Sequence, residues 1–207
     1  MLEWLAGLTP IPPLVAALWI GVATLFGQAS GEPHERRTSR IVLTACAGSL
    51  MIALILAIAR LIGSLPDRVT LGRWLTSGDY QVDLVFATDG LSLALAALVA
   101  LLCLFVARFA VNYMHREAGF HRLFMVLSLF TAAILLLVMG GNAVLTFVGW
   151  EIAGLCSYLL ISFFQDRPVA AGNATRVFVT NRVGDAGFLL GIALSFRWLG
   201  SPAWVAI

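Results

Sequence analysis

The chain consists of long runs of apolar residues separated by short polar segments. A helix needs about 20 mostly apolar residues to cross the hydrocarbon core of a bilayer. Spanning helices are therefore predicted at 10–27, 41–63, 89–113, 122–140, 142–164 and 173–197. Because Glu3 is the only charged residue before the first run, we expect this run to be a retained helix rather than a cleaved signal peptide.

One polar segment has the period of a strand rather than of a helix. The apolar Val82, Leu84 and Phe86 alternate with the polar Gln81 and Asp83, and the preceding Ser77-Gly78-Asp79 is typical of a turn. This pattern predicts a short extramembrane β-hairpin that packs over the helix ends. The chain then divides into two N-terminal helices at 1–66, the hairpin at 67–88 and four further helices at 89–207.

The composition supports the membrane assignment. Hydrophobic residues make up 60% of the chain, charged residues 12%, and the mean hydropathy is +0.95, whereas soluble domains are about 45–50% apolar and about 25% charged. The fold class is thus an all-α polytopic membrane protein, and a secreted disulfide scaffold, a nucleic-acid-binding domain and a disordered chain are excluded. Cys46, Cys103 and Cys156 each lie alone in an apolar run, which predicts buried packing residues.

The charged loops predict the orientation of the chain. Its 13 basic residues are all arginine, and the loops after the first, third and fifth spans carry the excess, beginning with Arg36, Arg37 and Arg40. Cytoplasmic loops are enriched in basic residues, so the N-terminus should lie outside, and we expect a bacterial inner membrane. The histidines, His34, His115 and His121, are predicted to be solvated residues of the basic loops.

Three charged residues lie near the middle of predicted spans rather than near their ends: Glu151 in the fifth, and Arg182 and Asp185 in the sixth. A charge at the bilayer centre costs ~2.5–3.5 kcal/mol on insertion scales, and its default interpretation is functional. Small residues near Glu151, including Ser157, leave room for a close helix or for water. A carboxyl balanced between burial and a nearby cation can take up and release a proton, so Glu151 is the first candidate. The alternative is a structural buried carboxyl.

Arg182 and Asp185 are three residues apart and share one helix face. They form either a structural ion pair or a pair in which Asp185 exchanges partners during ion movement. Thr180 and Asn181 add polar groups one turn earlier. The predicted ion-translocation residues are therefore Glu151, Asp185 and Arg182, with Thr180, Asn181 and Ser157 as supporting polar groups. No catalytic residue, metal ligand or cofactor-binding motif is predicted in this chain.

Four segments together carry a family resemblance. They are Phe-Val-Gly-Trp-Glu-Ile-Ala-Gly-Leu-Cys-Ser-Tyr-Leu-Leu-Ile at 147–161, Thr-Asn-Arg-Val-Gly-Asp at 180–185, Thr-Asp-Gly-Leu-Ser-Leu at 88–93, and Tyr113-Met114. This pattern resembles the N-terminal part of the antiporter-like subunit L of respiratory complex I and the large subunit of Mrp-type antiporters. The resemblance implies a fold of inverted repeats in which Glu151 pairs with a lysine of a broken helix. It also carries the arginine and aspartate of the sixth-helix motif onto Arg182 and Asp185.

The resemblance implies a function and partners. The chain should be a proton, or sodium/proton, translocating membrane subunit or half-subunit of a complex I-like NADH:quinone oxidoreductase or an Mrp-type antiporter. NADH, FMN, iron–sulfur and quinone chemistry would belong to partner subunits. Since the sequence contains no lysine, we expect another membrane chain to supply the second half of the fold. The expected partners are the lipid bilayer, these membrane subunits and hydrophilic redox subunits, without nucleic acid.

Two alternatives to this function remain open. The first is a structural or assembly subunit that does not transport, which would tolerate Glu151→Gln. The second is a membrane partner in an energy-coupled inorganic-carbon uptake complex, a class whose antiporter-like subunits keep the Trp-Glu motif less faithfully.

Overall fold

The computed structural model describes residues 2–28, 31–77 and 80–204 of the chain. In order, its elements are α1 (Leu2–Leu8), α2 (Ile11–Leu25), α3 (Glu32–Leu61), β1 (Arg68–Ser77), β2 (Tyr80–Ala87), α4 (Gly90–Tyr113), α5 (Phe120–Val138), α6 (Ala143–Ile161) and α7 (Pro168–Leu199). Within these ranges six helical segments are long and apolar enough to cross a membrane, with α1 and α2 together forming the first. The predicted fold class is confirmed.

Polar side chains mark where two of the spanning helices begin. The Asp89 carboxylate accepts hydrogen bonds from the amides of Leu91 and Ser92 at the start of α4. The Asn142 side chain accepts one from the amide of Leu145 at the start of α6. Short polar side chains at this position satisfy amides that have no partner within the helix.

Three helix boundaries differ from the prediction by more than three residues, including the start of α7 at Pro168 rather than at residue 173. Residues 2–8 are already helical before Pro10, and α3 begins at Glu32 rather than at residue 41. The three arginines assigned to the first loop, Arg36, Arg37 and Arg40, therefore lie in the first turns of α3. The length of an apolar run shows only the part of a helix that lies in hydrocarbon. The helix itself continues into the polar region through its backbone hydrogen bonds. A hydropathy window therefore misses charged first turns.

The helices pack unevenly. α5 contacts α2, α4 and α6, α3 packs along α4, and α7 packs mainly against α6. The core is filled by large apolar side chains such as Leu56, Leu93 and Phe124. Cys46, Cys103 and Cys156 are buried and unpaired, as predicted.

The β-hairpin is antiparallel, with register shifts between Thr70 and Gly72 and between Arg73 and Leu75. It is fixed to the α5–α6 turn by three hydrogen bonds: Ala87 N to Met139 O at 2.7 Å, Gly141 N to Val85 O at 2.9 Å, and Asn142 Nδ2 to Asp83 O at 2.8 Å. The predicted packing over helix ends is confirmed. Of the predicted turn, Gly78 and Asp79 lie outside the described residues. We call this end of the bundle the hairpin side and the opposite end, with the α2–α3, α4–α5 and α6–α7 connections, the loop side.

The histidines of the loop side do not all lie in solvent. His121 is buried, with Nδ1 2.8 Å from Thr38 Oγ1 and Nε2 3.3 Å from the Gly31 carbonyl oxygen. The prediction of a solvated loop residue is wrong for His121, because the early start of α3 brings Thr38 against the first turn of α5. His34 lies within α3 rather than in a loop, and His115 is exposed but contacts the buried Glu35, with Nδ1 2.7 Å from Oε2.

Candidate ion-translocation site

The three charged residues predicted inside the membrane form one connected network between α6 and α7. Arg182 Nη1 lies 2.6 Å from Glu151 Oε2, and Arg182 Nε lies 2.9 Å from Asp185 Oδ2. A single guanidinium of α7 therefore contacts a carboxylate on each helix. The pairing of Arg182 with Asp185 follows from their spacing, whereas the contact with Glu151 depends on how the two helices face each other.

Asp185 is the most deeply buried member of the network. Only 3% of the residue is exposed, and its Oδ1 accepts a hydrogen bond of 2.8 Å from the indole Nε1 of Trp150. Its Oδ2 is close to Arg182 Nε, but the two buried atoms do not meet hydrogen-bond geometry. The search for charged residues in the sequence did not identify Trp150 as part of the site. Its position directly before Glu151, in the Trp-Glu pair, is the sequence feature that could have identified it.

One aromatic ring contacts the guanidinium, and another contacts the indole. Arg182 Cζ lies 4.8 Å from the centre of the Phe178 ring, a distance at which a cation is attracted to a ring face. Phe178 in turn packs against Tyr158, and Phe188 packs edge-on against Trp150. These contacts restrict the side chains that position the carboxylates.

The small residues near Glu151 serve two different interfaces. A Cβ atom at Gly149 would come within 2.6 Å of the Leu137 amide nitrogen and 2.8 Å of the Ala133 carbonyl oxygen, so this glycine permits the close approach of α5. Gly154 faces the other helix, where a Cβ atom would lie 3.6 Å from Arg182 Nη2. The small side chain there leaves space for the guanidinium to reach Glu151.

Among the described residues, the three supporting polar residues make no side-chain hydrogen bond to the network. Ser157 Oγ donates to the Gly154 carbonyl oxygen at 2.8 Å, and Thr180 Oγ1 donates to the Arg176 carbonyl oxygen at 2.9 Å. Asn181 is half-buried and makes no side-chain hydrogen bond within the described ranges.

The outer side of the network is open. The side chains of Glu151 and Arg182 are 27% and 38% exposed, and much of α7 beyond them is uncovered, including Val179, Val183 and Leu190. Exposing a charged group to hydrocarbon has a high free-energy cost. This surface therefore needs a cover of protein or water in the membrane.

Two family models match the chain. Residues 74–124 match "NADH-Ubiquinone oxidoreductase (complex I), chain 5 N-terminus", and residues 140–206 match "NADH:quinone oxidoreductase/Mrp antiporter, TM". The second match contains all four network residues. The chain belongs to the antiporter-like subunit family of complex I and Mrp antiporters.

Similar proteins agree with this membership. The antiporter-like chain is 37% identical over 199 residues to the chloroplastic NAD(P)H-quinone oxidoreductase subunit 5 of Chlorokybus atmophyticus, with 94% of this chain and 29% of that protein covered. It is 34% identical over 202 residues to NAD(P)H-quinone oxidoreductase chain 5 of Synechocystis sp., with 96% and 29% covered.

A solved structure shares the fold. The structure of the Mrp complex from Dietzia sp. contains a chain that matches with a TM-score of 0.75 and 22% identity, covering 96% of this chain and 20% of that one. The antiporter-like chain thus spans less than a third of the length of each of these relatives.

Proposed function

We propose that this chain is a proton-translocating membrane subunit, or part of one, in a complex I-like NADH:quinone oxidoreductase or an Mrp-type antiporter. The observation that carries the proposal is the contact of Arg182 with both Glu151 and Asp185 across α6 and α7. Membership in the antiporter-like family supports the same function. Sodium in exchange for protons is the variant of this function that Mrp-type relatives suggest.

The net negative charge of the network favours the binding of a cation. Two carboxylates share one guanidinium, so the group carries one net negative charge when both acids are ionised. A proton that binds one carboxylate removes that charge, which the low dielectric of the membrane favours. Arginine does not release its proton in proteins, so the exchangeable proton belongs to a carboxyl group.

Glu151 is the better placed of the two acids for exchange. Its side chain is 27% exposed, whereas that of Asp185 is 5% exposed and also accepts the Trp150 hydrogen bond. We therefore assign uptake and release to Glu151. Asp185 and Trp150 hold Arg182 in position, and Arg182 supplies a fixed positive charge.

The uncovered face of α7 supports a proposal about what packs against it. We propose that the remainder of the antiporter-like fold, in the same polypeptide or in another chain, covers this face and brings the lysine that pairs with Glu151 in the family. Other membrane subunits and hydrophilic redox subunits would complete the complex. NADH, FMN, iron–sulfur clusters and quinone would be held by those partners.

We propose that the chain lies in a bacterial inner membrane with its N-terminus outside, and the distribution of arginines supports this orientation. In the described ranges the loop side carries Arg36, Arg37, Arg40, Arg108, Arg116, Arg122, Arg167 and Arg176, and the hairpin side carries Arg60, Arg68, Arg73 and Arg197. Because basic residues accumulate on the cytoplasmic side, the loop side faces the cytoplasm and the hairpin side faces outward.

A structural role is the second candidate, and one observation favours it. Arg182 contacts both carboxylates and stacks on Phe178, so the network also has the features of a static clamp between α6 and α7. In a static clamp, the charges of Glu151, Arg182 and Asp185 are needed only for the packing of α6 against α7. A translocation site requires them for ion movement in an assembled complex.

The test is ion translocation by the native complex in inverted membrane vesicles carrying Glu151→Gln. We expect proton movement to fall at least tenfold while the amount of assembled complex stays unchanged. Asp166→Asn is the matched control, because this exposed carboxyl lies in the α6–α7 connection on the loop side and should leave transport unaffected. Unchanged transport in Glu151→Gln, or loss of assembly with it, would favour the structural role.

A further inference from the structure

Helices α3 and α4 form a groove on the side of the bundle away from the charge network. Its volume is about 400 Å³, and it is lined by Leu43, Thr44, Ala47, Leu104, Phe105 and Arg108. Apart from Arg108 and the Thr44 hydroxyl, which donates back to the Ile41 carbonyl oxygen, the lining is apolar. An apolar groove between two membrane helices has the chemistry to accept an acyl chain.

A positive charge lies at the loop-side end of this groove. Arg108 is exposed and is located in the last turns of α4, and Arg40 is exposed and lies one turn before Thr44 on α3. Spacings of three and four residues put each arginine on the same helix face as the groove residues. Because α3 and α4 run in opposite directions, both arginines belong to the same membrane surface.

Neither arginine has a partner among the residues that the structure describes. Across residues 2–28, 31–77 and 80–204, Arg40 and Arg108 make no ion pair, side-chain hydrogen bond or ring contact. Two nearby arginines do have partners: Arg37 Cζ lies 4.6 Å from the centre of the Trp19 ring, and Arg116 forms an ion pair with Glu32. A guanidinium that borders hydrocarbon is stabilised when it meets an anion, and a phosphate accepts two parallel hydrogen bonds from it.

We propose that this groove, called here the α3–α4 lipid site, binds an anionic phospholipid. The phosphate contacts Arg108 and Arg40, and one acyl chain lies along Ala47 and Phe105. The stacked rings of Phe109 and Tyr113, whose centres are 5.5 Å apart and which are largely exposed, lie beside Arg108 at the depth where aromatic residues meet headgroups. The proposal is independent of ion translocation, because the site shares no residue with the α6–α7 network.

The test is native mass spectrometry of the full chain with an equimolar mixture of phosphatidylglycerol and phosphatidylcholine. The wild-type protein should retain phosphatidylglycerol preferentially. Loss of one arginine contact near a membrane surface is worth about 1 kcal/mol, so Arg108→Gln should reduce the retained phosphatidylglycerol about fivefold. Arg73→Gln, which removes an exposed arginine of the hairpin, should not.

A second pair of variants tests the groove separately from the charge. Ala47→Trp fills the groove and should lower lipid retention, whereas Ala94→Trp, at an exposed position of α4 near the hairpin side, should leave it unchanged. Equal retention of the two lipids by the wild-type protein would overturn the proposal. Wild-type retention in both Arg108→Gln and Ala47→Trp would overturn it as well.

Discussion

At the scale of single residues, the site depends on one guanidinium, that of Arg182, which contacts two carboxylates. Arg182 is the only cation in contact with Glu151 or Asp185 among the described residues. Removing one partner of a partly buried ion pair usually costs more than the pair contributes, because the remaining charge loses its compensation. The effects of changing Arg182 and Glu151 should therefore not add.

Arg182→Gln should destabilise the protein, because two carboxylates then lie close together without a cation. We expect about 2 kcal/mol, less than the 3–5 kcal/mol typical of fully buried pairs, since the Arg182 side chain is 38% exposed. Thermal unfolding in mild detergent measures the change. The double variant Glu151→Gln/Arg182→Gln should recover part of the loss, and strictly additive effects of the two substitutions would contradict the coupling.

Asp89 gives a pH-dependent prediction outside the spans. Burial alone raises the pKa of its carboxyl, but the hydrogen bonds from the Ser92 hydroxyl and from the Ser92 and Leu91 amides outweigh it and lower the pKa below the ordinary 3.8. A lowered pKa in the folded state means stabilisation that is complete above the unfolded pKa and is lost as pH falls through the folded one.

Asp89→Ala should therefore lower stability by about 1 kcal/mol at neutral pH through the lost helix cap. The difference from the wild-type protein should shrink as the pH falls below 4 to the folded pKa. Unfolding midpoints measured from pH 7 downward test this. Asp89→Asn should keep most of the cap and reduce the pH dependence, and a difference that is constant with pH would refute the assignment.

At the scale of elements, glycine sets the spacing of α5 and α6. A side chain at Gly149 would overlap backbone atoms of Ala133 and Leu137, which cannot move aside as a flexible side chain can. The sequence indicated close packing around Glu151 but not which helix benefits, because the face of a glycine cannot be read from a nearly uniform apolar helix.

Gly149→Ala should destabilise the protein by about 1–3 kcal/mol, the usual cost of overpacking. Gly172→Ala is the matched control, since no atom lies within 4 Å of a Cβ built there and alanine favours helix. Thermal unfolding of both variants gives the comparison. An unchanged midpoint for Gly149→Ala would mean that the two helices can separate without cost.

Much at the element scale was predictable, for identifiable reasons. Apolar length located the six spans, and the alternation in 81–86 located β2, because each pattern reports burial directly. The start of α3 at Glu32 and the buried position of His121 were not predictable. The first turns of α3 are charged, so a hydropathy window misses them, and the position of His121 depends on a tertiary contact with Thr38 that no local pattern encodes.

At the scale of the whole molecule, the sequence located the charged residues of the network and one of its two ion pairs. Three charges in two apolar runs indicated a site, and the spacing of Arg182 and Asp185 indicated one pair. The contact between Arg182 and Glu151 and the role of Trp150 depend on how α6 and α7 are rotated toward each other. That rotation is set by packing along the whole helix pair.

The charge distribution makes a prediction about orientation. In intact cells, a membrane-impermeant maleimide should label Thr76→Cys in the hairpin and should label Glu117→Cys on the loop side only after permeabilisation, since both positions are exposed. The native cysteines are buried and provide an unreactive background. The reverse labelling pattern would place the N-terminus in the cytoplasm.

The central claim is that Glu151 takes up and releases a proton while Arg182 stays charged. Infrared difference spectroscopy of the native complex during turnover tests it most directly, because protonated and ionised carboxyl groups absorb at different frequencies. We predict a carboxyl signal that appears in the wild-type complex and is lost in Glu151→Gln, while Asp166→Asn retains it. A signal that persists unchanged in Glu151→Gln would contradict the claim.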